Sequence, residues 1–257
     1  MTTIKDIYTD LDALSPRSLS CEWDNDGLMV CENSAIHAKK VLLTLDVTQK
    51  VADYAKANGV DLIISHHPLI FKKLRSLSEE TLFSQLPINL LSHGISVMSF
   101  HTRFDAAEGG MNDTLSAMLG LKTSGSFGPA GEENCGRLCL CDIPFTSLCN
   151  RVKATLDAPN ICAIKSNENC KKVAVLGGGG GDFIDAAVAA GADTFITGDA
   201  GYNAILDAKQ KGISMIVAGH YHTEFLPFVT ATKKVLAEKF PDIKIEISPI
   251  GCEVLYI

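Results

Sequence analysis

The chain has 257 residues, of which 46% are hydrophobic and 21% charged. That length allows one large or two medium domains at roughly 150 residues each and excludes a disulfide-stapled miniprotein, while the composition excludes a disordered chain. A formal charge of −7 supplies no overall positive field for phosphate backbones, so nucleic acid is not an expected partner.

The N-terminal decade places Asp6 and Asp10 where a signal peptide would carry its apolar core, and no run of 18 uncharged apolar residues follows. The expectation is a soluble, cytoplasmic protein with no membrane partner. Trp23-Asp-Asn-Asp-Gly-Leu28 holds the only tryptophan; it reads as a packed indole with a turn behind it, or as a pocket wall, with the first favoured. The nine cysteines include no Cys-x-x-Cys pair. Cys135, Cys139, Cys141 and Cys149 are therefore expected to be reduced, packed thiols rather than a zinc site.

Lys40–Asp46 reads as a buried strand, Gln49–Asn58 as an amphipathic helix, and Gly59–His66 as a turn into a second strand; Gly94–Phe100 predicts a third. The same plan recurs later, with strands over Lys172–Gly177, Gly191–Gly198 and Gly212–Ala218 and a helix over Asp182–Ala190. Strands alternating with helices imply parallel or mixed sheets, hence two related α/β domains. Lys122–Asn134 is rich in turn formers and reads as a linker or long loop. The expected domains are 1–127 and 128–257, with the C-terminal segment packing back on the first.

Ligands of open α/β sheets bind outside the carboxyl ends of the strands. Five of the seven histidines fall there: His66 and His67 after the second strand, His101 after the third, and His220 and His222 after the last, accompanied by Asp105 and Glu224. Imidazole and carboxylate together suit zinc, iron, manganese or nickel. A spacing of four puts His220 and Glu224 on one face if a helix starts there. Adjacent strand residues point to opposite faces, but at a strand end, with Pro68 following, His66 and His67 can converge or serve two ions. The run Gly177–Gly181 reads as a phosphate cradle, or as a tight turn or close helix–sheet contact, with the latter pair favoured. Asp199 ends a strand and reads as an acceptor behind a ligand, an acid/base, or an N-cap.

These segments together resemble the NIF-three-like proteins, also known as GTP cyclohydrolase I type 2 homologues and dinuclear metal-centre hexameric proteins. Trp23-Asp-Asn-Asp-Gly-Leu, Ser65-His-His-Pro-Leu-Ile-Phe, His101-Thr-Arg-Phe-Asp-Ala-Ala-Glu-Gly-Gly-Met-Asn-Asp, Thr197-Gly-Asp and Gly219-His-Tyr-His-Thr-Glu occur in that family's order. The resemblance implies two divalent ions per chain held by His66, His67, Asp105, His220 and Glu224 in an inter-domain cleft, with His222 outside the ligand set. It also implies a homo-hexameric toroid. Arg103 stands where the family commonly has an uncharged residue, implying a more positive pocket rim, and Asn203 stands where many members have histidine. The expected activity is metal-dependent hydrolysis of a small-molecule substrate: a GTP cyclohydrolase type 2-like, amidohydrolase or phosphoesterase reaction. Asp105 or Glu224 would bridge the ions and His101 would orient a ligand or carry a proton. The rival expectation is a non-catalytic ring that stores or carries metal or regulates a partner.

Overall fold

Capping and spacing dictate the first element. Thr3 accepts a hydrogen bond from the Asp6 amide while Asp6 accepts one from the Thr3 amide, a reciprocal capping box. It starts α1 (Ile4–Leu14), which buries Ile4, Ile7 and Leu11 on one stripe. The computed structural model describes residues 1–78 and 80–254. They form two compact units: Met1–Phe104 with Val229–Glu253, and Asp105–Phe228 with residue 254.

In the first unit follow β1 (Gly27–Val30), β2 (Lys40–Thr44), α2 (Gln49–Ala57), β3 (Leu62–Ser65), α3 (Leu82–Ser92), β4 (Ser96–Ser99) and the start of α4 (Thr102–Ala106). Its five-stranded sheet has the order β1-β4-β3-β2, with Lys244–Ile247 on the far edge. β2, β3 and β4 are mutually parallel, in the register Val41–Leu62–Ser96, and β1 is antiparallel to β4. All four residues of β3 are buried, as a strand covered on both faces requires. Leu42, Val51, Ala55, Ile63 and Val97 belong to its core.

The second unit holds α5 (Met111–Met118), β5 (Lys122–Phe127), β6 (Gly136–Pro144), α6 (Phe145–Thr155), β7 (Cys162–Ile164), β8 (Asn169–Gly179), α7 (Ile184–Ala189), β9 (Thr194–Asp199), α8 (Tyr202–Gln210), β10 (Ser214–Val217) and the first turns of α9 (His220–Lys239). Its sheet order is β5-β6-β8-β9-β10-β7, parallel for β8, β9 and β10 and antiparallel elsewhere. β11 (Lys244–Ile247) then returns the chain to the first sheet, parallel to β2.

Each unit therefore repeats three parallel strands separated by helices, and the antiparallel flanks make both sheets mixed. Lys122–Asn134 is not a plain linker: Lys122–Phe127 forms β5 and pairs with β6. The units divide at Phe104/Asp105 and Phe228/Val229, whereas the sequence reading places one boundary after residue 127. The physical reason is that the β5–β6 ladder and α5 bury their apolar residues in the second core. That core takes up Cys139 and Cys170, with Cys141 and Cys149 packed against it, and burial pushes the Cys141 and Cys149 thiols up to about 11. All nine cysteines are free thiols.

Among the described residues no helix is long and apolar enough to cross a membrane.

Candidate metal centre

β3 ends at Ser65, so His66 and His67 leave the strand before its alternation separates them. Their rings lie 5.1 Å apart, and the His101 ring lies 5.2 Å from His66 and 5.6 Å from His67. Each of the three offers a ring nitrogen within 4.8 Å of the others. His66 is fully buried.

Each ring is anchored through Nδ1. The His66 Nδ1–H donates to the Phe100 carbonyl at 2.9 Å, His67 to Asp46 Oδ1 at 2.7 Å, and His101 to Asp24 Oδ1 at 3.0 Å. A carboxylate or carbonyl can only accept, so these bonds place the proton on Nδ1 and leave the lone pair on Nε2. Asp24 is itself held by the Thr102 amide and hydroxyl. Burial raises its carboxyl, but the hydrogen bond and charge of His101 and the Thr102 contacts outweigh burial, and its pKa falls to about 2.

The second unit repeats the device. His220 opens α9 directly after β10 and its Nδ1 donates to Asp199 Oδ2 at 2.8 Å, while its Nε2 lies 3.1 Å from Glu224 Oε2 one turn on. Asp199 is thus the acceptor behind His220; the cap of α8 is Gly201. In both units the aspartate lies at or just past the end of the neighbouring parallel strand and precedes its histidine by 21 residues. Asp105 sits in α4 with its Oδ1 buried, and it is outside the His66–His67–His101 group.

The glycine run makes room for the His220 and Glu224 side chains. β8 extends through Gly179, and Gly178 has φ +67°; a β-carbon there would lie 2.0 Å from Glu224 Oε1 and 3.3 Å from His220 Nε2. At Gly198 a β-carbon would lie 2.4 Å from Thr223 Oγ1 and 2.9 Å from the His220 Cα. The amide of Gly177 is held by the buried Asn112 side chain and that of Gly178 by Thr223. Close helix–sheet approach, and not a phosphate cradle, is what Gly177 and Gly178 serve.

Two expectations change. Arg103 is fully buried rather than on a rim: it pairs with Asp12 at 2.6 Å and Asp26 at 3.2 Å over the Phe100 ring, because its side chain turns inward from α4. Trp23 is 55% exposed and stands edge-on to Phe71 and His101, so it is not the packed indole that the sequence favoured. Sequence reasoning assigned no role to Asp46 or Asp24; the shared 21-residue spacing to the histidine was the available signal for Asp46. His222 contacts the Tyr221 ring, and Asn203 lies on α8.

Fold and donors together define a two-unit α/β protein with histidine–carboxylate groups at its strand ends. The profile of the Duf34/NIF3 (NGG1p interacting factor 3) family matches residues 2–253, and the chain belongs to that family. It is 33% identical over 251 residues to a GTP cyclohydrolase 1 type 2 homolog of Clostridium perfringens, covering 95% of both chains. It is 33% identical to the GTP cyclohydrolase 1 type 2 of Helicobacter pylori, covering 87% of this chain and 88% of that one. Among solved structures, the Staphylococcus aureus hypothetical protein SA1388 superposes with a TM-score of 0.89 at 28% identity, over 99% of both chains.

Proposed function

We propose that the chain binds two divalent metal ions through His66, His67, Asp105, His220 and Glu224 and hydrolyses a small-molecule substrate. The observation that carries this reading is the anchoring of His66, His67 and His220 at Nδ1, which turns the lone pair of each to Nε2, the atom a metal ion would take. The donors are imidazole and carboxylate, the set that zinc, iron, manganese and nickel accept, and the Gly178 gap accommodates the Glu224 carboxylate.

Such ions, when bound, supply Lewis acidity and acidify a water molecule. Glu224 and Asp105 would supply the carboxylate ligands. His101, with its Nδ1 proton held by Asp24, orients the substrate and moves a proton at Nε2. The printed names of the relatives support a GTP cyclohydrolase type 2-like reaction; amide and phosphoester hydrolysis use the same donors. A cytoplasmic homo-hexamer belongs to the same proposal, and light scattering of the pure protein should give a mass near six times the chain's 27.5 kDa; a stable monomer overturns it.

The test is elemental analysis of protein purified without added metal, followed by hydrolase assays on that sample. About two ions per chain and metal-dependent turnover are expected by analogy with two-metal sites. Full metal occupancy in the His66→Ala/Glu224→Ala double variant overturns the ligand assignment, and two ions without turnover on amides, phosphoesters and GTP overturns the hydrolase in favour of a metal-carrying or regulatory ring.

A further inference from the structure

Asn112 stands in the first turn of α5 and is fully buried. A buried carboxamide is costly unless its donors and acceptor are engaged, and this one bonds backbone groups of three segments of the second unit. Its Oδ1 accepts from the Gly177 amide at 2.8 Å, while Nδ2 donates to the Cys135 carbonyl at 2.8 Å and, at 3.5 Å, to the carbonyl of Asp105. Acceptor on one side and donors on the other allow a single orientation, since turning the amide over would set like groups against each other.

These bonds join the two carboxylate-bearing segments of the unit. On one side the Gly177 backbone underlies Glu224: a β-carbon on Gly177 would lie 3.1 Å from the Thr223 carbonyl and 3.4 Å from Glu224 Cγ. Gly178 is fixed at both of its polar groups, its amide donating to Thr223 Oγ1 and its carbonyl accepting from Thr197 Oγ1, each at 3.1 Å. On the other side the corner between α4 and α5 is pinned just past Asp105. The buried Arg137 side chain donates to the Ala106 and Ala107 carbonyls at 3.1 and 2.7 Å, and Asp113 accepts from the Gly109 amide at 2.8 Å. Asn112 bonds to both the strand end and the corner.

We propose that Asn112 is a positioning residue that fixes the strand end beneath Glu224 relative to the helix corner carrying Asp105, and so sets the spacing of the two carboxylates. It acts through backbone groups. The coupling of the two segments stands on these bonds; its consequence for a metal ion rests on the metal-binding reading above.

The probe is cobalt(II), whose visible absorption reports the geometry of its ligands, titrated into the full-length protein. Carbon-13 spectra of the Asp105 and Glu224 carboxyl groups in the metal-free protein supply a second readout. Asn112→Ala should displace both carboxyl signals, change the cobalt spectrum and weaken cobalt binding about 10- to 100-fold, the usual effect of losing a group behind a ligand. Ser116→Ala is the matched control, because Ser116 is equally buried and donates to the Asn112 carbonyl inside its own helix. It should lower the melting temperature and leave the carboxyl signals and the cobalt spectrum at their parent values. Asn112→Asp keeps the volume and the acceptor for Gly177, so its Glu224 signal should stay closer to the parent's than that of Asn112→Ala.

Unmoved carboxyl signals in Asn112→Ala overturn the positioning role, as does a Ser116→Ala variant that moves them equally far, since the effect is then one of general stability. A Glu224 signal displaced as far in Asn112→Asp as in Asn112→Ala overturns the route through Gly177. Where Asn112→Ala does not fold, amide exchange in the parent protein decides: the Gly177 proton should exchange more slowly with cobalt bound, and an unchanged rate overturns the coupling. Displaced carboxyl signals in a protein that binds no cobalt uphold the coupling while the metal reading fails, so the two failures are distinguishable.

Discussion

Gly178 and Glu224 share a space that holds only one of two things: a β-carbon on the first would lie 2.0 Å from Oε1 of the second. The carboxylate keeps its place because position 178 has no side chain and adopts φ +67°, a conformation that costs a non-glycine residue about 1–2 kcal/mol. Gly178→Ala should therefore lower the melting temperature and displace Glu224, reducing retained metal. Gly179→Ala, where nothing lies within 4 Å, should leave metal content unchanged. Elemental analysis of the two variants side by side checks the contrast.

Asp46 and Asp199 act through the histidines they hold. Removing either by alanine should weaken metal affinity about 10- to 100-fold, the usual effect of losing an acceptor behind a ligating imidazole. Competition against a coloured chelator measures it. Nitrogen NMR of the metal-free protein should show the His67 proton leaving Nδ1 in Asp46→Ala and the His220 proton leaving Nδ1 in Asp199→Ala.

Arg103 is fully buried between Asp12 and Asp26. Arg103→Met leaves the fully buried Asp26 carboxylate with Arg17 as its cation and with the Ser20 hydroxyl and His101 amide as donors, and urea unfolding should show a loss of about 3 kcal/mol, the scale for breaking a buried ion pair. Metal content is expected to stay at the parent value, because the charge stabilises the unit and does not face a ligand.

The raised thiols of Cys141 and Cys149 set a pH dependence. With pKa values of about 11, only about one molecule in a thousand carries the thiolate at pH 8. Iodoacetamide should therefore modify the exposed Cys162 first, and the rates at Cys141 and Cys149 should rise about ten-fold per pH unit until pH 11. Because folding holds these two groups in the neutral form, their stabilisation is complete below the ordinary thiol range, near pH 9, and is lost as pH rises through 11. Mass spectrometry of labelled peptides and melting curves between pH 8 and 11 read both effects.

The parallel strands and the histidines at their ends were legible in the sequence because both rest on short-range patterns. Continuous apolar runs mark buried strands, the strand end is where ligands gather, and a spacing of four puts His220 and Glu224 on one helical face. Tertiary structure alone decided what stands behind and around those residues. Asp46 reaches His67 only because β2 and β3 are neighbours in register. Gly178 matters only because α9 starts against it, and Arg103 turns inward only because Asp12 and Asp26 meet it there. Trp23 stays exposed beside Phe71 and His101, residues 48 and 78 positions away in sequence. Periodicity along a chain encodes which face is apolar. It does not encode which distant side chain will satisfy a buried donor, fill a gap or brace a ring, since that depends on the order of strands in the folded sheet.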